Sequence, residues 1–233
     1  MTLLSICQDA ATEIGFPKPS TVIGSTDNTA LQLLRLVNRE GEALSKYNWQ
    51  SLQQETSITL ATGTQTYSLP ADFRYIVPSS TWNRTNKRVL IFPVTSQEWQ
   101  FLKGWTQING LNLRGRIKNS LIEIEQTITS TENGDSVYYE YISKYWTQDA
   151  ASTAQQKFAA DDDTSLLDEE LLTLGLVWRF KKSKGLDWQP DFVEYKDQVA
   201  QAKARDKGAR VLKLQGDKFG RTLGVNLPDR NYG

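Results

Sequence analysis

Apolar residues recur at helical spacing over residues 2–15, where Leu3, Leu4, Ile6, Cys7, Ala10 and Ile14 form one stripe. The stripe stops at Gly15, with Pro17 and Pro19 closing the turn. A polar linker, STVIGSTDN, leads to a second helix over about 28–48. Its expected apolar face is Leu31, Leu34, Val37, Leu44 and Tyr47, with Asp27 or Asn28 as the cap. Trp49 ends this helical hairpin.

From about residue 55 the period changes from helical to alternating. TSITL and QTYSL flank Thr62-Gly63-Thr64 and predict a β-hairpin. Pro70 has no N–H and cannot continue the ladder. Further strands are expected over Tyr75–Val77, Lys87–Phe92, Leu121–Glu125 and Val137–Ser143, with a hairpin in GRIKNSLIEIE across Lys118–Ser120. Asn133-Gly134 is a tight-turn signal ahead of the last strand. Thr95-Ser96-Gln97-Glu98 is a capping box for a short helix carrying Trp99 and Leu102. A polar loop over 147–163 precedes helices at about 165–184 and 190–206, the second with Pro190 in its first turn and Phe192, Val199 and Ala202 inward. The pattern predicts an α+β protein. A helical bundle of about four helices comes from residues 1–54 and 147–206, an inserted antiparallel β-rich domain from 55–146, and an extended C-terminal arm from 207–233.

Charge refines this picture. The 233 residues hold 27 basic and 27 acidic side chains, so the whole molecule is not a strong polyanion binder. Residues 149–206 are net acidic and 207–233 net basic, a layout suited to complementarity between neighbouring copies or partners. With no histidine, Ser-His-Asp and Cys-His catalysis and histidine-ligated zinc are excluded. One cysteine, Cys7, excludes an internal disulfide and fits a buried structural thiol. The N-terminus lacks a basic n-region, and the longest greasy run, Leu171–Val177, is far too short to span a bilayer; a soluble cytoplasmic product is the expectation.

The sharpest chemical candidate is DDDTSLLDEELLTLGLVWRFKKSKGLDW, from Asp161 to Trp188. Gathered carboxylates suit a hard cation, and a metal-dependent hydrolase would use Asp161–Asp163 with Asp168 or Glu169. No calcium-loop spacing accompanies them. The simpler reading is a helix start: Ser165 and Asp168 form a cap, acids lead at the positive end of the dipole, and Leu167, Leu171, Leu174, Val177 and Trp178 face a core. Arg179, Lys181, Lys182 and Lys184 then trail at the negative end, and Gly185 stops the helix. Tyr138, Tyr139, Tyr141, Tyr145 and Trp146 offer a stacking face for sugars or bases, or else a core plus an interface. Lys207, Arg210, Lys213, Lys218 and Arg221 are sparse and mixed with apolar residues, which suits an arm ordering on protein better than a DNA-binding tail. No glycine-rich nucleotide loop is present.

The order of helical hairpin, β insertion, VYYEYISKYW, Asp-rich loop and leucine-rich helix resembles the head-to-tail adaptors of tailed bacteriophages, in particular the tail tubular protein A type of short-tailed phages. The matching residues are Tyr141, Ile142, Ser143 and Trp146, then Asp161–Asp163, then Leu167–Leu172, Trp178 and Lys181–Lys184. The resemblance spans roughly residues 2–206; the tail beyond matches by position and character. It implies a non-enzymatic virion ring, usually of twelve copies, without cofactor, metal or membrane contact. Such a ring sits beneath the portal protein, extends the DNA channel without specific DNA binding, carries the tail nozzle protein and offers docking places for a tail fibre. On this resemblance the helices form the wall and the β insertion reaches outward or towards the next tail component. The arm would wedge into the portal through Lys207, Arg210, Leu212, Lys213, Leu214, Lys218, Phe219 and Arg221. The alternative is a tail-associated module that binds a fibre or saccharide through its β domain.

Overall fold

The computed structural model describes residues 1–104 and 112–206. Helices α1 (Leu3–Ile14) and α2 (Asn28–Leu44) come first, followed by a single 3-10 turn at Gln50–Leu52. Strands β1 (Gln53–Thr59), β2 (Thr66–Ser68), β3 (Phe73–Ile76), β4 (Trp82–Asn83) and β5 (Arg88–Val89) then precede helix α3 (Ser96–Gly104). Strands β6 (Gly115–Lys118), β7 (Leu121–Ile124), β8 (Ser136–Ser143), β9 (Thr147–Gln148), β10 (Ala154–Gln155) and β11 (Thr164–Ser165) lead to helices α4 (Glu169–Lys184) and α5 (Gln189–Asp206). The protein is α+β, as its periodicity predicts.

Helix ends follow the expected chemistry. Thr2 accepts from the Ser5 N–H at 3.3 Å and Asp27 from the Ala30 N–H at 3.2 Å, each filling an orphan donor. Gly15 (φ 87°) and Gly185 (φ 72°) close α1 and α4 in the left-handed region that a side chain disfavours. The Thr95–Glu98 capping box is reciprocal: Glu98 accepts from the Thr95 N–H at 2.8 Å, and Thr95 from the Glu98 N–H at 3.2 Å.

Helix α4 is the centre of the bundle. Leu171, Leu172, Gly175, Leu176, Val177, Trp178 and Phe180 are buried around nearly its whole circumference, because α1, α2 and α5 all pack on it. This helix begins at Glu169, with Asp168 rather than Ser165 as its cap; Ser165 lies in β11, and its hydroxyl accepts from the Leu167 N–H at 3.0 Å. The α2 face also differs from expectation. Ala30, Leu33, Val37, Glu40, Gly41 and Leu44 are buried, while Leu31 and Tyr47 are exposed. The true stripe includes a carboxylate and a glycine, so a search for large apolar residues settles on a neighbouring face.

The β strands form three small sheets. β8 is the hub of the largest: β1 runs antiparallel along it from Gln53–Ile142 to Thr59–Ser136, while β3 and β4 pair on its opposite edge and β5 extends β4. β6 and β7 make the expected hairpin, with Asn119 (φ 50°) and Ser120 (φ 59°) at its tip, and β2 adds to β7. The expected hairpin between TSITL and QTYSL does not form. The Thr62–Thr64 turn exists, but the Thr62 and Gly63 N–H groups donate to Asn133 and Ile128, and the flanking strands diverge to β8 and β7. The Lys87–Phe92 strand shortens to β5 plus an isolated bridge at Ile91, and the loop over 147–163 contributes β9 and β10 of the third sheet.

Buried apolar side chains gather in two clusters. One holds the α1, α2, α4 and α5 residues together with Trp49, Ile142, Trp146 and Phe158. The other holds Ile58, Leu60, Ile122, Ile124, Val137, Tyr139 and Tyr141 among its members. β8 serves both, since Ile142 joins the helical cluster. Trp146 is fully buried against Gly41, where an added methyl would fall inside the indole ring. Gly41→Ala is therefore expected to cost about 1–3 kcal/mol by overpacking. The check is a lower urea midpoint at unchanged slope; an unmoved midpoint rejects the packing account.

Candidate functional site

The acidic run is a set of backbone clamps. Asp161 accepts from the Thr21 hydroxyl at 2.6 Å and from the Val22 and Ile23 N–H groups at 3.1 and 2.7 Å. Asp163, almost fully buried, accepts from the Ala159 and Ala160 N–H groups at 2.6 and 2.9 Å. The carbonyls of these two aspartates accept from Leu4 and Leu3, which pins the start of α1 to the loop. Asp168 takes the Glu170 N–H at 3.0 Å. The carboxylates thus turn toward separate donors instead of converging, and among the described residues no three His, Cys, Asp or Glu side chains gather as a metal cage. Cys7 lies beneath, its thiol pushed up to about 12 by burial and by Asp161, which keeps it protonated and unreactive.

Burial raises the Asp161 pKa, but the hydrogen bonds from Thr21, Ile23 and Val22 outweigh it and the net shift is downward. A depressed folded value means stabilisation that is present above the unfolded pKa of about 3.9 and is lost as pH falls through the folded value. Asp161→Ala should cost about 2 kcal/mol at neutral pH. The gap to wild type in urea unfolding should shrink steadily below about pH 4. A gap independent of pH would reject the charged clamp.

A second polar cluster escaped the sequence reading. Glu40 of α2 is fully buried; its carboxylate accepts from the Arg179 guanidinium of α4 and from the Tyr195 hydroxyl of α5. Gly175 makes the room, since a Cβ there would overlap the Glu40 side chain. Burial, then the Glu40 charge, raise the Tyr195 pKa and keep its hydroxyl a donor. The clue was in the spacing, because Leu33, Val37, Glu40 and Leu44 share one helical face. Arg179 is thus an ion-pair partner rather than a member of the trailing basic group. Its neighbour Lys181 binds Asp191 at 2.8 Å, and the Lys182 ammonium lies 4.6 Å from the Trp188 ring centre. Glu40→Ala leaves the Arg179 charge stranded and should cost about 3–5 kcal/mol. A double-mutant cycle with Arg179→Met checks the coupling, and additive losses would reject it.

The aromatic strand is mostly spoken for. Tyr139 and Tyr141 are buried in the β cluster, and burial followed by the Asp72 charge pushes the Tyr139 phenol up to about 12. The Tyr141 hydroxyl donates to Asp72 at 2.9 Å. Tyr138, on the other face, is covered by the Arg84 guanidinium 3.7 Å from its ring centre, and Arg84 is held by Glu55 at 2.6 Å. Rings placed this way serve core and surface packing; Trp146 is fully buried, and Tyr145 stays half-buried beside Lys144. The other candidate residues, Lys207, Arg210, Leu212, Lys213, Leu214, Lys218, Phe219 and Arg221, lie outside the described residues.

The model of the SU10 adaptor protein family matches residues 1–226 of the chain. The chain belongs to the SU10 adaptor protein family. It is a phage adaptor, a structural component of the virion, in accord with the head-to-tail adaptor resemblance of its motifs. No curated protein matches it. The match covers both hydrophobic clusters of the adaptor and the positions of the eight arm residues. No helix among the adaptor's described residues is long and apolar enough to cross a membrane.

Proposed function

We propose that this adaptor forms a ring, of twelve copies by analogy with head-to-tail adaptors, that joins the portal protein to the tail nozzle protein and extends the DNA channel. The observation that carries the proposal is the family match over residues 1–226. Residues 1–54 and 147–206 would form the ring wall, and the inserted β-rich domain over 55–146 would face the next tail component and any fibre. The bundle suits a wall because α4 is packed by three helices and joined to α2 and α5 through Glu40. Near-balanced charge suits a lumen that lets DNA pass without holding it.

The arm over 207–233 would dock on the portal through Lys207, Arg210, Leu212, Lys213, Leu214, Lys218, Phe219 and Arg221. Mixing the purified adaptor with portal assemblies at micromolar concentration should give a stacked ring by electron microscopy. Bare portals at that concentration would count against the ring. Deleting residues 207–233 should abolish docking while the circular dichroism of the subunit stays folded, and docking by the truncated chain would refute the arm's role.

A further inference from the structure

The solvent side of α2 carries Leu31, Arg35, Arg39 and Glu42 at successive turns. With Leu34, Asn38, Gln156 and Lys157 they line an open groove of about 710 Å³. Among the described residues none of Arg35, Arg39 or Lys157 makes an ion pair within the chain. Three cations and the exposed Leu31 therefore face water beside a single acid, Glu42, with Leu34 half-buried at the groove floor.

A second hollow, of about 380 Å³, has the opposite sign: Asp9 of α1 and Asp168, Glu169 and Glu170 of the α4 start line it with Met1 and Thr173. One turn along α1, the Glu13 pKa is raised by burial and, against the pull of Lys181, by Asp191 and Glu194 of α5, so the acidic character continues down this edge. Two neighbouring cations are already engaged, the Met1 ammonium by Glu169 and Lys181 by Asp191.

The two regions lie on different flanks of the bundle. Gly175 and Arg179 of α4 face Glu40 of α2, whereas Thr173 and Glu169 border the hollow beside α1. At 3.6 residues per turn, Thr173 points about 160° away from Gly175. Complementary patches on opposite flanks cannot satisfy each other within one chain. Their charges suit a head-to-tail contact between copies, the type that closes into a ring when the rotation allows. We propose that the α2 groove of one copy seats the α1–α4 edge of the next, so that Arg35, Arg39 and Lys157 meet Asp9, Asp168 and Glu170. Leu31 and Leu34 supply the apolar floor of the contact, and the charges set its polarity and register. The inference rests on the ring proposed above and names the surfaces that build it.

The test uses phage particles whose copy of the chain carries R35E/R39E, D9K/E170K or all four substitutions, each chain being checked for folding by circular dichroism. Each one-sided pair should weaken the contact about tenfold or more, and infectious yield should fall with it. The four-substitution chain, with both faces reversed, should recover most of that yield. Where a reversed pair does not fold, R35Q/R39Q and D9N/E170N test the same loss. Wild-type yield from the one-sided chains overturns the pairing, and so does a loss that the four-substitution chain fails to recover, which would assign the arginines to another partner. The wild-type chain missing from purified particles would sink the ring itself. Its presence beside unaffected one-sided variants would sink only this contact.

Discussion

A carboxylate with no access to water stands at the meeting of three helices, and the bundle is built around keeping it satisfied. Burying Glu40 alone would cost several kcal/mol, so α4 must bring Arg179 and α5 must bring Tyr195 to the same point. That requirement fixes the rotation of α2, the axial position of α4 and the docking of α5 together. It also explains the two glycines nearby. Gly175 admits the Glu40 side chain, and Gly41, one position further on, admits the Trp146 indole. A buried pair of this kind adds little net stability compared with a well-packed apolar core, but it penalises any slipped arrangement heavily. Register is what it supplies here.

The second organising constraint is the loop before α4. Its aspartates hold the N-terminus of α1, the 21–23 segment and the loop itself by accepting backbone N–H groups that a connector leaves without partners. Three consecutive acids read as a potential cation site because residue type is visible in a sequence and side-chain direction is not. Asp161 turns toward residues 21–23, Asp163 toward 159–160, and Asp162 remains exposed. The mutual repulsion of this run is eased by donors, with no ion required.

Local signals were legible and nonlocal ones were not. The caps at Asp27 and Thr95, the stops at Gly15 and Gly185 and the β6–β7 hairpin all depend on residues within a few positions of one another. The partner of β1 lies about eighty residues along the chain, at β8, and nothing in TSITL distinguishes that pairing from a hairpin with QTYSL. The α2 face is hidden for a related reason: Glu40 belongs to the core only by virtue of Arg179 and Tyr195, far along the chain. Within the acidic stretch, only Asp168 caps α4 with Glu169 and Glu170 in its first turn; Asp161 and Asp163 clamp backbone N–H groups elsewhere, which residue types alone do not reveal.

The charges of this adaptor fall into two kinds with different physics. Glu40 is fully buried and Arg179 largely so, and salt screens their attraction far less than that of exposed charges. Arg35, Arg39, Asp9 and Glu170 sit at the surface, where an ion pair is worth little until a partner excludes the solvent around it. A structural subunit gains from that division. Its buried pair is little affected by salt, while surface charges of this kind bind weakly one at a time and gain strength when several pairs form at once. Such contacts can form, test alignment and reverse before an assembly closes, which a large exposed apolar surface would not permit without aggregation. The separation of buried from exposed charge is thus a physical basis on which one fold can be a rigid unit and, in the proposed ring, a reversible joint.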